Sequence, residues 1–170
     1  MTRSLCLYTN NPEETQEVGR SLGFGASSGD IFLLVGDLGA GKTCLTQGIA
    51  WGLGVHEYAR SPSFVLVTQY QGRLTLYHAD LYRLDTVGEI LDLGLEEYLC
   101  GAGVSVVEWA DKAPEVFPQD HLVIRIESTG DTSRELSFFS ESRRYCEFLA
   151  VLQKDLAAFL SPGRGSGTEV

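Results

Sequence analysis

Eight consecutive residues carry the strongest chemical signal in this chain: Gly36-Asp37-Leu38-Gly39-Ala40-Gly41-Lys42-Thr43. They fit the pattern G-x-x-x-x-G-K-[ST] in full. Glycines let the backbone wrap closely around an anion, and the amides then point inward. The start of the following helix adds its positive dipole. In such a loop Lys42 sets a point charge on the β- and γ-phosphates of a nucleotide, and the Thr43 hydroxyl ligates Mg²⁺. The residues expected against ATP or ADP are Asp37, Leu38, Gly39, Ala40, Gly41, Lys42, Thr43 and Cys44.

A phosphate-bound Mg²⁺ also needs a carboxylate near the loop, at the end of a strand. Asp80 follows the strand-like run Leu74 to His78, and Glu108 ends the run Val104 to Val107. Glu108 fits the rule that ligand sites collect at the carboxyl ends of parallel strands. Each carboxylate is a candidate metal or water-positioning residue, with an ordinary surface acid as the alternative. His78 reads as a support for Asp80 or as a structural residue. Trp109 reads as a core or partner-surface residue, or as a wall of the nucleotide pocket. Arg83 reads as a phosphate contact or a surface ion pair. No arginine stands out as a finger. The base-reading motif Asn-Lys-x-Asp of guanine-specific proteins is absent, since Asn10 and Asn11 are the only asparagines and both precede the loop. ATP is favoured by elimination.

The elements that must position these residues follow from periodicity and stop signals. Ile31 to Val35 is an apolar run between Asp30 and Gly36, the pattern of a buried central strand. Lys42 to Leu53 reads as a helix stopped by Gly54. An earlier helix spans 11–23, capped by Asn11 with Pro12 at its first position, Glu14 placed for a capping box, and Gly23 at its end. Residues 64–70 and 73–78 flank Gln71-Gly72 as a hairpin. Residues 86–99 form one or two helices broken near Gly94, and 104–107 form a second buried strand. A loop with two prolines, room for one helical turn, covers 110–120. Residues 121–127 and 134–139 form an antiparallel pair at one edge of the sheet, and 141–160 a closing helix. No element is assigned before residue 11. The predicted fold is a single α/β domain of the P-loop NTPase type over 1–160. It has a mostly parallel central sheet, antiparallel additions and helices on both faces. The tail 161–170 is rich in Pro, Gly and Ser and is expected to be disordered.

Composition limits the partners. At 170 residues with 44% hydrophobic and 21% charged content, the chain suits one soluble domain. Its apolar runs are too short to span a bilayer, and no secretory signal follows Arg3, so a cytoplasmic location without membrane contact is expected. Cys6, Cys44, Cys100 and Cys146 form no C-x-x-C pair and predict reduced, mostly buried thiols. The net charge of −10, from 13 basic and 23 acidic residues, argues against direct binding to nucleic acid.

Four blocks together resemble the TsaE (YjeE) family: GDLGAGKT at 36–43, SPSF at 61–64, HADLYR at 78–83 and VEWAD at 107–111. The resemblance implies a slow ATPase of tRNA threonylcarbamoyladenosine synthesis that acts with TsaB and TsaD, the tRNA being held by that complex. By motif, Lys42 and Thr43 match the phosphate and Mg²⁺ positions, Asp80 the acid of the Mg²⁺ site, Glu108 the second acid and Trp109 its neighbour. The expected catalytic set is thus Lys42, Glu108 and Asp80, and the expected metal set Thr43, Asp80 and Glu108. The SPSF block resembles a switch-like loop near the γ-phosphate, with Ser63 where the family commonly has Thr. Two other readings use the same loop: a small-molecule or nucleoside kinase, and a module that senses ATP without hydrolysing it.

Overall fold

The computed structural model describes residues 3–62 and 66–160. Its strands are β1 (Arg3–Thr9), β2 (Ile31–Val35), β3 (Val67–Tyr70), β4 (Leu76–Asp80), β5 (Val104–Glu108), β6 (Leu122–Ser128) and β7 (Arg134–Ser140). Its helices are α1 (Pro12–Gly25), α2 (Lys42–Gly52), α3 (Val87–Asp92), α4 (Leu95–Leu99) and α5 (Arg143–Ala157). One sheet contains the seven strands in the order β1-β7-β6-β2-β5-β4-β3. The central four, β6-β2-β5-β4, are parallel. The flanking pairs β1–β7, β6–β7 and β3–β4 are antiparallel. The predicted class is what is observed.

β2 sits in the middle because both its faces are apolar. Phe32 and Leu34 join Val18 and Leu22 of α1, Leu45 and Ile49 of α2, and Tyr145 and Leu149 of α5 in one cluster. Ile31 and Leu33 join Ile90 of α3 and Leu95 and Leu99 of α4 in the other. The alternation with period two thus divides one strand between two layers of helix.

Several boundaries differ from the sequence reading. β1 was unassigned; only Leu5 and Thr9 of its described side chains are buried, so its pattern is too thin to read. Because β1 pairs with β7, the β6–β7 pair is not the edge of the sheet, and β6 lies beside β2. α1 continues past Gly23 to Gly25, and Arg73 Nη2 gathers the carbonyls of Gly23, Phe24 and Ala26 at 2.7, 2.8 and 2.7 Å. Asn11 caps α1 by accepting from Glu14 N at 2.8 Å, but Glu14 Oε2 turns back to Asn10 N at 2.7 Å, one residue short of the capping-box partner. The 110–120 segment holds two 3₁₀ turns rather than one helical turn. The four cysteines are free, as expected, but Cys6 and Cys100 are exposed and Cys44 and Cys146 half-buried. Residues 63–65 and the tail 161–170 lie outside the described residues, as do the expectations that fall on them. Among the described residues no helix is long and apolar enough to cross a membrane.

α1 packs on α2 backbone to backbone. Gly19 and Gly23 of α1 face Gly48 and Gly52 of α2. A Cβ on Gly48 would stand 2.1 Å from Gln16 O, and one on Gly23 2.1 Å from Ile49 O. The two backbones therefore touch directly, and α2, whose first residue is Lys42, has no room to shift on α1.

Candidate functional site

β2 ends at Val35, and α2 begins at Lys42 with Gly41 as its left-handed N-cap at φ 107°. A side chain at that φ would be strained, so the glycine is required by the turn itself. From the far flank of the sheet, Arg134 of β7 reaches the loop. Its Nε donates to Ala40 O at 2.7 Å and its Nη1 to Ser133 O at 2.8 Å. The sequence singles out Arg83 but not Arg134, which lies 94 residues from its partner.

Lys42 is buried, with Nζ donating to Gly36 O at 2.6 Å and Asp37 O at 2.8 Å. The same ammonium lies 4.0 Å from the centroid of the Trp109 ring, a cation–π distance. Burial pushes the Lys42 pKa below the ordinary lysine value, while the carboxylates of Glu108, Asp80, Asp111 and Asp37 push it back up.

The acids meet across a parallel pair. β4 is at once a hairpin strand and the parallel neighbour of β5, and the register sets Asp80 opposite Glu108. Glu108 is buried. It accepts from Thr43 Oγ1 at 3.1 and 3.2 Å through its two oxygens. Asp80 accepts from Tyr82 N at 2.9 Å and from the Ser61 hydroxyl. His78 does not support Asp80. Its Nε2 lies 2.8 Å from Glu108 Oε1, because the ring points down the β4–β5 pair toward the buried acid.

These groups border one cavity of about 430 Å³. Lys42, Thr43, Asp80 and Glu108 line it, together with Ser61, Tyr82, Arg83 and Trp109. Of the residues expected against a nucleotide, Leu38, Gly39, Gly41 and Cys44 also line it, whereas Asp37 and Ala40 border an adjoining recess of about 490 Å³. Trp109 is therefore a wall of the pocket, where its ring lies against that of Tyr82 at 4.9 Å between centroids, tilted by 41°. Among the described residues the non-glycine positions with positive φ are Leu66 and Trp109, and both line this cavity. Strained backbone of this kind, roughly 1–3 kcal/mol per residue, collects at functional sites.

The donor set suits Mg²⁺. A hydroxyl and one or two carboxylates leave most of an octahedron to phosphate oxygens and water, which is how this ion is held beside nucleotides. Among the described residues no group of three or more His, Cys, Asp and Glu side chains forms a protein cage for a metal.

The sequence model of the TsaE family, described as threonylcarbamoyl adenosine biosynthesis protein TsaE, matches residues 9–136. The tRNA threonylcarbamoyladenosine biosynthesis protein TsaE of Bacillus subtilis is 45% identical over 146 residues, covering 84% of this chain and 91% of its own. The protein of the same name from Treponema pallidum is 37% identical over 129 residues, covering 76% and 96%. The crystal structure of Bacillus subtilis YdiB superposes with a TM-score of 0.80 at 40% identity, covering 91% of this chain and 97% of that one.

Proposed function

The chain belongs to the TsaE family, and from that premise we propose that it binds and hydrolyses ATP as a component of the machinery that builds threonylcarbamoyladenosine in tRNA. The relatives' names supply the pathway, and the site supplies the chemistry. One observation carries the reading: Lys42 and Thr43 at the start of α2 meet Asp80 and Glu108, the last residues of two parallel strands, around a single cavity.

In this reading the loop amides and Lys42 hold the β- and γ-phosphates, the ammonium exchanging the carbonyls of Gly36 and Asp37 for phosphate oxygens. Thr43, Asp80 and Glu108 are the residues that would hold Mg²⁺. The ion, when bound, neutralises charge on the phosphates. Glu108 orients the attacking water, and Lys42 with the loop N–H groups stabilises the charge that grows on the γ-phosphate. Arg134 is committed to loop carbonyls and is not free to act as a finger, in keeping with the slow turnover that the family resemblance implies for the isolated chain. A partner that supplies the missing positive charge would add roughly three to five orders of magnitude. The partners are TsaB and TsaD, the tRNA is reached only through them, and the setting is the cytoplasm. The acidic balance of the chain supports that division of labour.

Phosphate release measured with and without the TsaB–TsaD pair and tRNA tests the proposal. Hydrolysis that rises with the partners and vanishes in Lys42→Ala is the expected result. No release above the nucleotide blank with all partners present would refute the hydrolytic role.

A further inference from the structure

One buried contact of this site has no part in the chemistry just described. His78 is fully buried at 0% exposure, with Nε2 2.8 Å from Glu108 Oε1. Its other ring nitrogen, Nδ1, is buried with no hydrogen-bond partner among the described residues. An ionised carboxylate only accepts, so Nε2 carries the proton. Nε2–H thus donates to Glu108 Oε1.

The consequence falls on Glu108. The last torsion of a glutamate is broad, and hydroxyls at 3.1 to 3.4 Å hold a carboxylate less firmly than an N–H at 2.8 Å. Here Oε1 takes the His78 N–H at 2.8 Å and also meets Thr43 Oγ1 at 3.1 Å and Thr46 Oγ1 at 3.4 Å, while Oε2 has Thr43, at 3.2 Å, as its one partner among the described residues. We propose that His78 is a positioning residue for Glu108: its Nε2–H pins Oε1 and so keeps Oε2 turned to Thr43 and the cavity. The role rests on the hydrolytic reading given above.

Two measurements test it. The first needs neither nucleotide nor metal. ¹⁵N imidazole spectra of the free protein, with His78 identified by the signal lost in His78→Gln, should show Nε2 protonated. An Nε2 that carries no proton overturns the proposal. The second compares His78→Gln, His78→Asn and His78→Leu. A glutamine amide reaches where the imidazole Nε2 stood, and an asparagine amide does not. With phosphate release followed against Mg²⁺, Gln should stay within about threefold of the parent, while Asn and Leu lose roughly ten- to a hundredfold in turnover or apparent Mg²⁺ affinity. Nucleotide affinity in EDTA should not change in any of them. Should Leu fail to fold, the Gln–Asn contrast decides. A Gln variant as impaired as Asn, or a Leu variant equal to the parent, overturns the positioning role alone. A parent that hydrolyses nothing overturns the hydrolytic reading, and the role with it.

Discussion

Beneath the loop 36–43, α2 rests on α1 through bare backbone at four glycines, and Arg134 ties the loop to the far flank of the sheet. The strand ends opposite are held otherwise. Asp80 and Glu108 are fixed by hydrogen bonds from Ser61, Tyr82 N, Thr43 and His78. A backbone contact has one geometry, and a ligand cannot replace it. A hydroxyl or ammonium resting on a protein acceptor can trade that acceptor for a phosphate oxygen or a cation at little net cost. One wall of the cavity is thus a fixed cradle, and the other is a set of groups ready to exchange partners. Preorganisation of this sort is what electrostatic catalysis requires on the side where charge develops.

The largest effect belongs to the residue on which both walls bear. Lys42→Ala removes a buried cation that would meet the phosphates, so nucleotide affinity should fall by about 4 kcal/mol, close to a thousandfold. Titration of a fluorescent nucleotide measures it, and an unchanged affinity would break the assignment of the cradle. The next effect separates the walls. Gly48→Val forces a side chain into the Gln16 carbonyl and should cost about 3 kcal/mol of stability, roughly 6–12 °C in Tm. Ser61→Ala on the opposite wall should cost under about 1 kcal/mol. Equal losses in urea melts of the two variants would erase the distinction drawn here. Arg134→Ala comes third. It leaves Ala40 O without its donor at the rim of the cradle and should cost about 1–2 kcal/mol, with nucleotide affinity falling in step. A stability loss with affinity intact would show that the loop keeps its shape unaided.

The sequence made the cradle legible and the opposite wall only half so. Loop and helix are neighbours in the chain, and the glycines, Lys42 and Thr43 announce their geometry at fixed offsets. Asp80 and Glu108 were found by their places at strand ends, but what holds each of them depends on strand register. His78 reads from the sequence as a support for Asp80, two residues away, or as a structural residue, and the β4–β5 pairing takes its ring to Glu108, thirty residues away. Arg134 carries no local signal, since its role exists only once β7 lies beside β6 and its end comes up against the loop. The α1–α2 seam was visible as glycines, yet read as stop signals at Gly23 rather than as contact. Local chemistry survives in the sequence, and partnerships made by folding do not.

The smallest effect follows from the state of Lys42 in the empty cradle. Burial lowers its pKa from the ordinary lysine value, and the nearby carboxylates only partly restore it. Phosphate oxygens at Nζ favour the ammonium, so binding raises the pKa again. Below the lowered value Lys42 is charged in both states, and binding takes up no proton. Between the lowered and raised values the free protein has partly lost its proton and the complex has not. Binding then takes up a fraction of a proton, and affinity falls as pH rises, by at most about tenfold per pH unit. Calorimetry through the alkaline range, in two buffers of different ionisation enthalpy at each pH, reads that fraction directly. Uptake near zero throughout, with affinity flat, would mean that the empty cradle already stabilises the ammonium as well as a triphosphate does. The carbonyls of Gly36 and Asp37 would then belong to the fixed wall, and Lys42 would not be a group that changes partners.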